Sequence, residues 1–171
     1  MSQDETVAIF DSKSNLIGYK LRSELTEDDC WQTVCVWIEN SRGEVLLQQR
    51  SFDRQINPGM WTNAVIGTVT GDDTEDDTAV RETQEEIGLA GYEIAKTKRL
   101  YYKAIFGWRL AQGYKIICDW PLDKFVVQKE EVEKLEWVNK KQVLDEITDK
   151  APHTREFPEV CKIWVELFNL A

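Results

Sequence analysis

The chain has 171 residues, of which 42 % are hydrophobic and 11 % aromatic, seven of them Trp; this is enough apolar mass for a packed core and excludes a disordered chain. Thirty-one Asp and Glu against 21 Lys and Arg leave a formal charge of -10, which disfavours nucleic-acid backbones and anionic lipid as partners. Phosphates can approach such a protein where a divalent cation mediates.

The first residues, MSQDET, are acidic and lack the apolar run of a secretory signal. No apolar stretch is long enough to span a bilayer, so the expected compartment is the cytoplasm. Thr6 to Asp11 and Leu16 to Lys20 read as strands around the turn Ser12-Lys13-Ser14-Asn15. Trp31 to Glu39 alternates Val34, Val36 and Ile38 with Thr33, Cys35 and Trp37, the period of a strand. The turn Asn40-Ser41-Arg42-Gly43 leads into Glu44 to Arg50, and the two strands read as a hairpin. Residues 52 to 60 contain Pro58-Gly59 and form a loop, and Trp61 to Val69 is a further strand region.

Thr74 to Ile87 is the strongest helix. Thr74 serves as N-cap with Asp77 three residues on, acids crowd the first turn, and Gly88 stands at the C-terminal cap position. Tyr92 to Phe106, Gly113 to Trp120 and Lys134 to Val138 read as strands, and helices are expected at Lys140 to Ile147 and Pro158 to Leu170. There is no repeat or linker composition, so a single α+β domain over residues 1–171 is expected. Cys30, Cys35, Cys118 and Cys161 show no CxxC pairing and are expected as buried free thiols. With His153 the single histidine, a Cys/His zinc site is poorly supplied.

On a helical wheel, Glu86 falls about 40° to one side of Glu82 and Glu85 about 60° to the other, so three carboxylates share one face. Ala79, Val80, Thr83 and Ile87 gather on the neighbouring face, toward a sheet. Arg81 stands one turn before Glu85 and can pin it. A Glu-rich helix face is most often plain solvated surface. The wider spacing argues otherwise: Gly67, five residues, Asp73, seven residues, Arg81-Glu82, then Glu85-Glu86 and Gly88-Leu89. At ordinary residue frequencies its six fixed positions apart from Asp73 and Leu89 would match at a given start on the order of once in 10⁷.

This stretch, GTVTGDDTEDDTAVRETQEEIGL over residues 67–89, resembles the Nudix box, G-x5-E-x7-R-E-U-x-E-E-x-G-U with U aliphatic. Asp73 replaces the first glutamate and Thr83 an aliphatic residue. The resemblance implies a Nudix fold, an α/β/α sandwich with a mixed central sheet. It also implies Mg²⁺-dependent hydrolysis, with Mn²⁺ as an alternative cation, of a phosphoanhydride in a nucleoside diphosphate derivative. On the matching positions Glu82, Glu85, Glu86 and the Gly67 carbonyl would hold the metal, and Arg81 would orient the carboxylates. The proton acceptor for the attacking water is left between Glu85 and a downstream loop acid, Glu130 or Glu131.

Residues 11–25 and NPGMWTNAVIGTVTGDD over 57–73 also resemble isopentenyl-diphosphate isomerases. Those enzymes place a catalytic cysteine just before the glycine matched by Gly67 and a metal-binding histidine just after it; here the residues are Ile66 and Thr68. Hydrolysis is therefore expected over isomerisation, with a non-catalytic Nudix-fold binding module as the remaining alternative. Substrate-binding residues are not assigned. Arg50 and Arg54 read equally as phosphate contacts or surface charges. Tyr101, Tyr102, Phe106 and Trp108 read first as packing residues, with one able to stack on a base. The expected partner is a small-molecule phosphoanhydride, with no nucleic acid and no membrane, and a homodimer is left open.

Overall fold

The structure is a computed structural model that describes residues 5–170. Residues 1–4 of the acidic N-terminal stretch, and residue 171, lie outside the described residues. The described chain forms nine strands of one mixed sheet. These are β1 (Thr6–Phe10), β2 (Leu16–Leu21), β3 (Cys30–Glu39), β4 (Glu44–Arg50), β5 (Trp61–Asn63), β6 (Val65–Thr68), β7 (Ala95–Lys103), β8 (Trp108–Ile117) and β9 (Val132–Asn139). The helices are α1 (Glu75–Ile87), α2 (Lys140–Ile147) and α3 (Trp164–Leu167).

β3 is the hub. It runs parallel to β8 over its whole length, from Cys30↔Trp108 to Glu39↔Ile117, and antiparallel to β6 from Thr33↔Thr68 to Val36↔Val65. Both of its faces are covered, which explains why apolar residues fill both phases of its alternation. Val34, Val36 and Ile38 pack with Ala79, Ile87 and Leu89 under α1. Cys35 and Trp37 pack with Val143, Ile147, Trp164, Leu167 and Phe168 under α2 and α3. The result is the α/β/α sandwich. A smaller cluster of Val7, Ile9 and Trp31 closes against Leu25 and Phe106 beneath the β1–β2 hairpin.

Several expected elements take different forms. β3 and β4 are joined by the expected turn, with Asn40 N donating to Glu44 O at 3.0 Å, but they share only the pair Glu39↔Val45. They then diverge, because β4 is claimed by β9 and β5. The strand region 61–69 breaks at Ala64, where the chain crosses from β4 to β3. Buried Asn63 holds the crossing through Nδ2, which donates to Val36 O (3.1 Å) and Val65 O (2.7 Å). β7 is shorter than read, and β8 begins at Trp108 rather than Gly113, after a turn closed by Ala104 N to Gly107 O with Gly107 at φ +70°. Polar Arg109 and Gln112 mask the start of β8 in the sequence; its parallel ladder with β3 supplies what the local pattern lacks.

The terminal helix is a 3₁₀ segment, Glu159–Ile163, followed by the short α3. Three residues per turn put Cys161, Trp164 and Leu167 in line, all buried against the sheet. All four cysteines are buried and free. Among the described residues no helix is long and apolar enough to cross a membrane.

Candidate active site

α1 is set by its caps. Thr74 Oγ1 accepts from Asp77 N (3.1 Å), the Asp77 carboxylate accepts from Thr74 N (3.3 Å), and Gly88 ends the helix in the left-handed region at φ +72°. Ala79, Thr83 and Ile87 face the sheet as expected, whereas Val80 is 53 % exposed, because it lies about 100° around the helix from Ala79. Thr83 is accommodated at a buried position by donating its hydroxyl to Ala79 O at 2.6 Å.

β6 and α1 meet at Gly67. A Cβ there would stand 2.4 Å from Glu82 Cγ, so only glycine lets the strand backbone come this close to the Glu82 side chain. Arg81 fans across three acids: Nη1 donates to Glu82 Oε1 (3.0 Å) and Glu85 Oε2 (3.1 Å), and Nε to Asp73 Oδ2 (3.3 Å). Burial lowers the proton affinity of this guanidinium, but the surrounding carboxylates outweigh it and hold Arg81 above its ordinary range. Asp73 thus reaches Arg81 despite being one methylene shorter than glutamate.

Glu86 is only 5 % exposed. Its carboxylate receives one long hydrogen bond, from Gln48 Nε2 at 3.4 Å. Burial, reinforced by the facing Glu82 and Glu131, holds its pKa well above the ordinary carboxylate range, which Gln48 and Arg50 only partly offset. Burial also raises Glu82, with Arg81 pulling against it. Glu85 is the exposed member, its side chain 52 % accessible. Glu82, Glu85 and Glu86 therefore line one cleft, together with Glu5, Arg22, Thr68, Thr70, Arg81, Gln128 and Glu131, with a volume of about 230 Å³.

Among the described residues no three acidic, His or Cys side chains are gathered tightly enough to make a ready-formed metal cage. Arg81 draws Glu82 and Glu85 to one side, while Glu86 stays with Gln48. The donor set nevertheless suits a hard cation. Every candidate ligand is an oxygen, and among the described residues Glu86 is a buried acid in no ion pair and buried Gln48 Oε1 has no hydrogen-bond partner.

Of the two loop acids, Glu130 is exposed and only Glu131 lines the cleft, tied by its Oε1 to Arg54 Nη1 at 2.5 Å. Arg54 and its neighbour Arg50 thus stand on the Glu131 side of the cleft. Gln48 and Gln128 carry no sequence signal of their own, because strand register and loop closure bring them in; Arg22 lies in the isomerase-like stretch 11–25, a resemblance that gives it no role in the site. Trp61 packs in the core beneath α3, and His153 is an exposed partner of Asp149. Tyr101 stacks on Trp108 across β7 and β8, with ring centroids 5.0 Å apart.

The NUDIX domain family model matches residues 31–161. The chain belongs to the Nudix hydrolase family. Over 146 residues, 85 % of each chain, it is 25 % identical to the uncharacterized Nudix hydrolase PA4841 of Pseudomonas aeruginosa. It is 26 % identical over 163 residues to the isopentenyl-diphosphate Δ-isomerase of Serratia proteamaculans, covering 94 % of this chain and 87 % of that one. Among solved structures, DR0079 of Deinococcus radiodurans superposes with a TM-score of 0.79 at 15 % identity, covering 96 % of this chain and 99 % of that one. This last likeness is one of fold. The Nudix fold expected from residues 67–89 is thereby borne out.

Proposed function

We propose that this Nudix family member is a divalent-cation-dependent hydrolase, served by Mg²⁺ or Mn²⁺, that cleaves the phosphoanhydride of a nucleoside diphosphate derivative. The observation that carries the reading is the cleft of Glu82, Glu85 and Glu86, with Gly67 packed on one acid and Arg81 fanned across two. Like charges partly buried on adjacent helical turns are costly unless a cation joins them. Glu82, Glu85, Glu86 and the Gly67 carbonyl would hold that cation. When bound it screens the diphosphate and polarises a phosphoryl oxygen.

Arg81 keeps Glu82 and Glu85 facing the cleft. A water oxygen attacks phosphorus, the bridging P–O bond breaks, and the electron pair leaves with the departing phosphate. Glu85 or Glu131 accepts the proton of the water. Both face the cleft and both are tied to an arginine, Arg81 or Arg54, that can turn to phosphate oxygens instead. Isomerisation is disfavoured by the residues beside Gly67: Ile66 and Thr68 can act neither as thiol nor as imidazole.

The test is turnover. Release of nucleoside monophosphate from nucleoside diphosphate derivatives with Mg²⁺ is expected to fall by about 10²-fold or more in Glu86→Gln, with the fold retained. Equal turnover in the variant would remove Glu86 from the metal set. Folded wild-type protein that binds these compounds without cleaving them would favour a binding module.

A further inference from the structure

Arg109, on β8, is a half-buried cation with no acid. In a chain of 31 Asp and Glu, no carboxylate among the described residues lies within 4.0 Å of its guanidinium. Its only hydrogen bond there runs from Nη1 to Trp108 O at 3.0 Å. The guanidinium sits over the Trp31 ring, with Cζ 3.5 Å from the centroid. With one hydrogen bond recorded among its five N–H groups, most of the donors stay free. Burial pushes its pKa down to about 10, and Arg22, itself in the cleft wall, acts in the same direction.

The strand register fixes which face this is. Trp31↔Arg109 and Thr33↔Thr68 are lateral pairs, so Trp31, Thr33, Thr68 and Arg109 share the sheet face opposite Gly67 and α1. Thr33 is 4 % exposed and its Oγ1 has no partner, a second unfilled polar group on that face. Thr68 lines the cleft, as does Arg22. Two strand spacings and three residues along β3 put the Arg109 and Gly67 backbones about 14 Å apart. A phosphate brought to Glu82 and Glu86 by a bound cation is therefore a different phosphate from one held at Arg109.

We infer that Arg109, seated on Trp31 with Arg22 of the cleft wall near it, binds a second anionic phosphate of the substrate, carried on the group attached to the scissile diphosphate and separated from it by roughly the length of a nucleoside. This rests on the hydrolase reading for the word substrate; the anion site itself does not. A planar fork free of carboxylates pairs bidentately with phosphate.

The first test needs neither metal nor turnover. Inorganic phosphate is titrated into full-length protein in EDTA while the Arg109 Nε–H and Trp31 Nε1–H resonances are followed by NMR. Saturable shifts in both are expected, with affinity lost in Arg109→Met and weakened about tenfold in Arg109→Lys, which keeps the charge but not the fork. Arg109 and Trp31 signals that stay still up to tens of millimolar phosphate would overturn the proposal, and need no variant to fold. The second test compares an adenosine diphosphate derivative with its counterpart phosphorylated on the ribose. The phosphorylated member is expected to gain at least about tenfold in kcat/KM through KM, and that ratio to collapse toward one in Arg109→Met. A ratio equal in wild type and variant would overturn the proposal. No cleavage of either compound, with the phosphate shifts intact, would instead count against the hydrolase reading and leave the anion site standing.

Discussion

Gly67→Ala asks whether the position of Glu82 matters. The added methyl would sit 2.4 Å from Glu82 Cγ and 2.9 Å from Cδ, where ordinary contacts begin near 3.4 Å. The glycine is not in the left-handed region, so the backbone tolerates alanine and the whole conflict falls on the Glu82 side chain. Relief requires a movement of about 1 Å near the root of that side chain, and more at its carboxylate. Overpacking of this kind costs about 1–3 kcal/mol, or about 2–4 °C of melting temperature per kcal/mol for a chain of this size. A displacement of 1 Å at a positioning group lowers catalysis by about 10²-fold. Nucleoside monophosphate release with Mg²⁺ and thermal melting are read side by side, in Gly67→Ala, Glu82→Ala and the double variant. Removing Glu82 removes the clash, so the double variant should be no worse than Glu82→Ala, a strongly non-additive cycle. Full activity in Gly67→Ala, or simple additivity of the two losses, would refute the idea that Gly67 acts by placing Glu82.

Mg²⁺ should stabilise the wild type by about 2.7 kcal/mol at a hundredfold excess over its Kd, raising its melting temperature, and Glu86→Gln far less; equal shifts in a thermal melt would exclude Glu86 as a ligand. Glu146 is 1 % exposed. Its burial would raise it, but hydrogen bonds from Thr154 and Gln142 and the charge of Arg155 prevail and hold it below the usual 4.5. A depressed acid contributes stability that is full above the unfolded pKa and lost as pH falls through the folded one. Glu146→Gln should therefore be destabilised by about 1.5–3 kcal/mol at neutral pH, and denaturant melts should show that gap closing below pH 4.5; a constant gap contradicts the assignment. Trp37→Ala removes a fully buried ring packed on Trp164 (5.6 Å) and Phe168 (5.2 Å), and chemical denaturation should show a loss of about 3–5 kcal/mol.

What could be read beforehand follows the range of the interactions. α1 was legible to within a residue because its caps, its acidic first turn and its closing glycine are all local in sequence. The carboxylate face of α1 was legible for the same reason. The start of β8 and the extent of β9 were not, because long ladders with β3 and β4 define them rather than their own alternation. The β3–β4 pair looked like a hairpin because its turn is local, whereas the rivals that separate the strands, β6 and β8 on β3 and β5 and β9 on β4, are chosen by long-range register. Gln48 facing Glu86, Arg54 binding Glu131 and Arg109 lying on Trp31 depend wholly on register. The direction of Val80 shows the limit of a wheel when a residue sits on the margin of a face.

The most direct measurement is release of nucleoside monophosphate from a panel of nucleoside diphosphate derivatives, with Mg²⁺ and with Mn²⁺, run on the wild type beside Glu86→Gln. The account predicts release from one chemical class, dependent on the added cation and reduced about 10²-fold or more in the variant. Release that persists unchanged in Glu86→Gln or in EDTA would contradict it.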